Sequence, residues 1–250
     1  IIKNASTTAD LSGPFNSNGV SDVFTGRSIT KILVNPANDN QILVSTASGF
    51  SGASGDVFST LPARGIYLST NAISGAPPTF SRLSVSATAP NLSVTDMVMD
   101  PGNPNLVVMN VLDSLGTGNG GIWVSSTSPT PWSGTATWTR TLVMGNNVNG
   151  KFAVNRSGAT PTTTFFVGLD ELPTGCTTRR GSLRKSTDGG TTWSAPIAGA
   201  SGFCGGQCFY DIAPVVDPND VNRILIGGSA NSTATACGSN VMIRSLDGAT

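Results

Sequence analysis

At 250 residues the chain is long enough for one large β domain or two smaller ones. Only 11% of its residues are charged, and its 14 basic side chains are matched by 14 acidic ones. Neither a nucleic-acid footprint nor a basic membrane-binding patch is expected. There is no histidine, which removes the commonest general base, the Ser-His and Cys-His nucleophile pairs, and histidine metal sites; no cofactor and no metal is expected.

No apolar run approaches the roughly 20 residues of a membrane span, so no membrane insertion is expected. The chain opens at Ile1 without the pattern of a signal peptide, which reads as mature or trimmed sequence. The 30 glycines and 15 prolines among many Ser, Thr and Asn mark turns between short strands. Apolar runs such as Ile32-Leu33-Val34 and Ile224-Leu225-Ile226 argue for a packed core over disorder.

Taken in chain order, the elements repeat. A strand from Ile29, a turn at Asn35-Pro36-Ala37-Asn38 and a strand ending near Val44 form the first copy. The pattern returns at 94–109 around Asp100-Pro101-Gly102, and at 210–226 around Asp217-Pro218-Asn219, with a weaker copy over 150–168. Asp or Asn bonds to the backbone two residues on, and Pro presets φ, so this turn chemistry suits a tight reversal.

A third strand follows each pair, at 65–69, 121–125, 182–186 and 241–245. A fourth follows in the first three copies, at 80–83, 138–142 and 193–194. Helical periodicity over ten or more residues appears nowhere. Four antiparallel strands recurring every roughly 55 to 65 residues match a propeller blade.

One segment makes the pattern specific. Ser186-Thr187-Asp188-Gly189-Gly190-Thr191-Thr192-Trp193 resembles the Asp box, Ser-x-Asp-x-Gly-x-Thr-Trp, of sialidases, sortilin-type receptors and xyloglucan-active glucanases. Ser245-Leu246-Asp247-Gly248-Ala249-Thr250 resembles a second box, and Ser69-Thr70-Asn71 with Phe80 and Ser125-Ser126-Thr127 with Trp138 resemble decayed copies.

The resemblance implies an all-β fold: a single β-propeller domain over 1–250, with four-stranded antiparallel blades at about 26–84, 94–143, 150–196 and 210–250. About four blades are visible, as part of a larger ring; alternatively Asp22-Val23-Phe24 completes the last blade of a small ring. The box itself is a structural turn, in which Ser186, Asp188, Gly190, Trp193, Ser245 and Asp247 close the third strand onto the fourth.

The same resemblance implies that ligands bind on the face opposite the boxes. There the first strands begin, at Arg27, Asp96, Lys151, Tyr210 and Asp211, and the long second-to-third loops carry Asp170, Glu171, Arg179 and Arg180. Cys176, Cys204, Cys208 and Cys237 map to this face too. Their spacing does not suit two C-x-x-C zinc pairs, and disulfides are expected; four cysteines allow three pairings. Disulfides and a low-Lys, Ser/Thr-rich composition point to a secreted or cell-surface protein, with a bacterial source expected, so the sequons at Asn4, Asn91, Asn155 and Asn231 carry little weight.

Two functions fit. A disulfide-braced face with Tyr210, Phe203 and Phe209 suits a binding or scaffolding module for carbohydrate or an extracellular protein. A glycoside hydrolase needs two carboxylates about 5 to 10 Å apart, and Asp96 with Asp211 are the weak catalytic candidates. The Tyr and Arg set implied by sialidases and the catalytic Asp implied by xyloglucanases are not assembled in this stretch.

Overall fold

The computed structural model describes residues 23–24, 26–48, 61–74, 77–88, 91–159, 161–173, 176–177, 180–229 and 241–248. Among these there is no helix, and so none long and apolar enough to cross a membrane. The chain is all-β, and its described residues form fourteen strands in four antiparallel sheets.

The first sheet orders β1 (Arg27–Asn35), β2 (Asn38–Ser48), β3 (Gly65–Ser69) and β4 (Ser81–Leu83). The second orders β5 (Ser93–Asp100), β6 (Asn103–Leu112), β7 (Gly121–Ser125) and β8 (Trp138–Val143). The third holds β9 (Gly150–Ser157), β10 (Thr162–Leu169) and β11 (Ser182–Ser186), and the fourth β12 (Ala213–Asp217), β13 (Asp220–Gly227) and β14 (Met242–Ser245). The expected fourth strand of the third sheet is only a backbone contact: Ser194 N–H donates to Lys185 C=O and Ile197 N–H to Leu183 C=O, each at 2.9 Å.

The turn after each first strand is built by its leading side chain. Asn35 Oδ1 accepts from Ala37 N–H at 3.0 Å, Asp100 Oδ1 from Gly102 N–H at 2.7 Å, and Asp217 Oδ1 from Asn219 N–H at 2.9 Å. One Asx turn therefore recurs three times, with Pro at its centre each time.

The sheets are stitched side by side through their first strands, β5 lying against β1 and β2 and against β9, and β9 against β12. Thr30 Oγ1 donates to Val94 C=O at 2.6 Å, Asp96 Oδ2 accepts from Phe152 N–H at 2.8 Å, and Asn155 Nδ2 donates to Asp217 C=O at 2.7 Å. Between the sheets lie three apolar layers. Leu43 and Ile66 meet Met97 and Val107; Val108 and Ile122 meet Phe152 and Phe165; Phe166 and Leu183 meet Val216 and Ile224.

Inner strands are consequently buried on both faces, as along β5 and β10. The end sheets still carry apolar residues outward, with Ile32 and Val34 exposed on β1 and Val215 on β12. Phe24 packs edge-on against Tyr67 and Phe80 of the first sheet, while Asp22 lies outside the described residues. The last sheet is ordered β12-β13-β14, and the described part of the 22–24 segment adds no strand to it.

Candidate functional site

Antiparallel pairing gives every sheet two edges of different character. At one edge each first strand begins and each second strand ends: Ser28 sits opposite Ala47, Ser93 opposite Leu112, and Gly150 opposite Leu169. At the other edge the third strands end, in the box turns.

The box edge uses its polar groups internally. Ser186 Oγ donates to Asp188 Oδ1 at 2.8 Å and accepts from Gly190 N–H at 3.0 Å. Thr192 gives Asp188 two bonds, backbone N–H to Oδ1 at 2.9 Å and hydroxyl to Oδ2 at 2.6 Å. Partial burial pushes the Asp188 carboxyl up, but the bonds from Thr192 and Ser186 outweigh it and hold the group below its usual range. Gly190 has φ of 81°, which favours glycine, and a Cβ there would also crowd the Val108 and Val124 methyls at 3.1 Å. Trp193 Nε1 donates to Gly190 C=O at 3.0 Å while its ring leans on Phe152. The second box begins the same way, Ser245 Oγ donating to Asp247 Oδ1 at 2.6 Å.

The opposite edge holds a cavity of about 380 Å³ where the first strands of the sheets converge. Ser28 and Thr30 line it from β1, Ser93 and Thr95 from β5, and Asn149 and Lys151 from the start of β9. Ala47, Ser48 and Leu112 come from the ends of β2 and β6, and Phe209 and Tyr210 from the segment before β12. None of these lining residues is acidic.

The two aromatics are about half exposed and stand edge to face, with ring centroids 4.3 Å apart. They follow directly on a Cys204–Cys208 disulfide whose sulfurs are buried. Asn149 Nδ2 donates to Cys208 C=O at 3.1 Å and ties this loop to β9. Lys151 Nζ donates to Thr95 C=O at 2.6 Å; burial pulls its pKa down, the Asp96 carboxylate pushes it up and Lys31 pulls it down again, leaving it below the ordinary lysine value.

The cavity thus gathers Lys151, Phe209 and Tyr210 from among the candidates. The others are held elsewhere. Asp96 is buried and accepts from Met97 N–H at 2.9 Å and Phe152 N–H at 2.8 Å, with Lys31 Nζ at 3.6 Å. Arg27 is buried and its Nε donates to Pro62 C=O at 2.6 Å. Glu171 is clasped in two-pronged fashion by Arg184, at 2.7 and 2.9 Å, and accepts a bond from the Ser182 hydroxyl.

Asp170 and Arg180 are buried, whereas Asp211 is partly exposed and held through its backbone N–H to Gln207 C=O at 3.0 Å. Phe203, expected among the binding aromatics, is fully buried in the layer between the third and fourth sheets. Cys176 is disulfide-bonded; Arg179 and Cys237 lie outside the described residues. No family model matches the chain, and no curated protein matches it. Among solved structures, a similar one is the catalytic domain of Coprinopsis cinerea GH62 alpha-L-arabinofuranosidase. It is 12% identical, with a TM-score of 0.43 over 87% of this chain and 71% of that one.

Sequence reasoning missed Arg64, Ser48 and Ser93. Arg64 is fully buried behind the cavity, and its Nη1 donates to Ser48 Oγ at 2.7 Å and Ser93 Oγ at 3.1 Å. A single arginine between Ala63 and Gly65 carries no pattern, and two serines among so many carry none either.

Proposed function

We propose that the chain is an Asp-box β-propeller module, exported from the cell, whose first-strand edge binds carbohydrate. The observation that carries the reading is the roughly 380 Å³ cavity, which joins an exposed aromatic shelf to a wall of hydroxyls and one ammonium group. Aromatic faces stack on the C–H faces of sugar rings, and hydroxyls with a few fixed donors read sugar oxygens. The disulfide beneath the shelf supports export, because such bonds persist in oxidising compartments. The apolar outer faces of the two end sheets support a ring that continues into further blades, each packing its neighbour as the inner sheets do.

The hydrolase alternative is less well supported. It needs a second carboxylate facing a first across bound substrate, and Asp96 already gives both oxygens to backbone N–H groups. Affinity electrophoresis against a panel of soluble plant and microbial polysaccharides tests the binding reading. Retardation that is clearly reduced in Tyr210→Ala supports it. Mobility unchanged by every polysaccharide would remove it, and release of reducing ends would favour the hydrolase.

A further inference from the structure

One stretch of the cavity wall offers donors, while Ser28 and the Asn149 amide oxygen elsewhere in the lining can accept. Arg64 has only donors, so a serine bonded to its guanidinium must accept, and must aim its own proton elsewhere. Ser48 and Ser93 are both in this position, 2.7 and 3.1 Å from Arg64 Nη1, where Ser93 shares the second proton with Ser114 Oγ at 3.1 Å; both are at least nine-tenths buried and both line the cavity. Among the described residues neither hydroxyl has an acceptor. Of the other cavity hydroxyls, Thr30 Oγ1 donates to Val94 C=O at 2.6 Å, Thr95 Oγ1 donates to Gly150 C=O at 3.3 Å while accepting from Asn110, and the Tyr210 hydroxyl donates to Gln207 Oε1, whereas the exposed Ser28 hydroxyl is free to donate or accept. Lys151 gives one N–H to Thr95 C=O and keeps two for the cavity. Asp96 lies behind Lys151 and Lys31, its oxygens bonded to backbone N–H groups, and is not among the lining residues.

From this we infer that the cavity is built to take a carboxylate on its saccharide ligand, a hexuronate residue whose ring rests on Phe209 and Tyr210 while its carboxylate accepts from Ser48, Ser93 and Lys151. Arg64 is a positioning residue: it touches no ligand, but it turns two hydroxyls into donors and places a positive charge behind them. The inference rests on the carbohydrate-binding reading of the same site. Charge-assisted bonds to a carboxylate are stronger than neutral ones, which makes uronate the preferred class over a neutral sugar of the same ring size.

Titration calorimetry with two probes, an oligogalacturonate and a neutral cello-oligosaccharide of equal length, tests it at low and high salt. The oligogalacturonate should bind roughly tenfold tighter at low salt and lose most of that margin at high salt. Ser93→Ala and Ser48→Ala, each checked for an unchanged melting temperature, should weaken the uronate roughly fivefold and the neutral probe roughly twofold or less. Lys151→Met should do the same. Equal affinities for the two probes, or serine variants that weaken both alike, would overturn the carboxylate assignment and leave the carbohydrate reading standing. If neither these probes nor any neutral polysaccharide binds, both fall together.

Discussion

The two edges of the sheets are made from similar residues and end up with opposite chemistry. At the box edge, Ser186, Asp188 and Thr192 bond to one another and to the turn they form. At the first-strand edge, Ser48, Ser93 and Lys151 line a cavity, the two serines bonded to Arg64 and the lysine to Thr95 C=O. Serine and threonine abundance therefore says nothing about binding until each hydroxyl's partner is known. The box edge holds the sheet together, and the first-strand edge is free to recognise something else.

Phe80→Ala should be the most damaging change to that division, since Phe80 fills the box Trp position in the first sheet and is buried against Phe24 and Tyr67. A loss of about 3 to 5 kcal/mol is expected in denaturant unfolding, with ligand affinity of the surviving folded protein unchanged. Replacing Cys204 and Cys208 by Ser should cost less, about 2 kcal/mol by loop closure, but should also weaken binding because the aromatic shelf hangs from that loop. A double serine variant that binds normally would detach the shelf from the disulfide.

Tyr210→Ala should do the reverse of Phe80→Ala. About 1 kcal/mol of stacking is lost, roughly a fivefold rise in Kd, with the melting temperature steady. The smallest effect separates the two box turns. Asp188 is held below its ordinary carboxyl value, so its contribution is complete at neutral pH and is lost as pH falls below about that ordinary value and through the lowered one. Asn71, which takes the same place in the first sheet and accepts from Thr79 N–H at 2.9 Å, does not titrate. Asp188→Asn should therefore flatten part of the acid limb of the stability profile, by about 0.5 kcal/mol or less for so exposed a group, while Asn71→Ala leaves its shape alone.

Much of the strand order was legible because the repeat is written in local chemistry: three Asx-Pro turns, the β-branched runs and the boxes each act within a few residues. The fourth strand at 193–194 was overread because Trp193 marks a packing position, not a ladder, and β11 is met only at separate points, by Ser194, Ile197 and Ser201. The site was legible only in outline. Its edge, Lys151 and Tyr210 follow from where first strands begin, but Phe203 looks like Phe209 in sequence and is turned inward by the Cys204–Cys208 loop. Arg64, Ser48 and Ser93 belong to three strands' ends and meet only through register, a long-range fact no local pattern carries.

Amide hydrogen exchange with and without saturating oligosaccharide shows whether binding belongs to one edge alone. Slowed exchange is expected at 93–95, 149–151 and 208–210, with 186–193 unchanged. Protection centred on 186–193, with the first-strand edge unaffected, would contradict it.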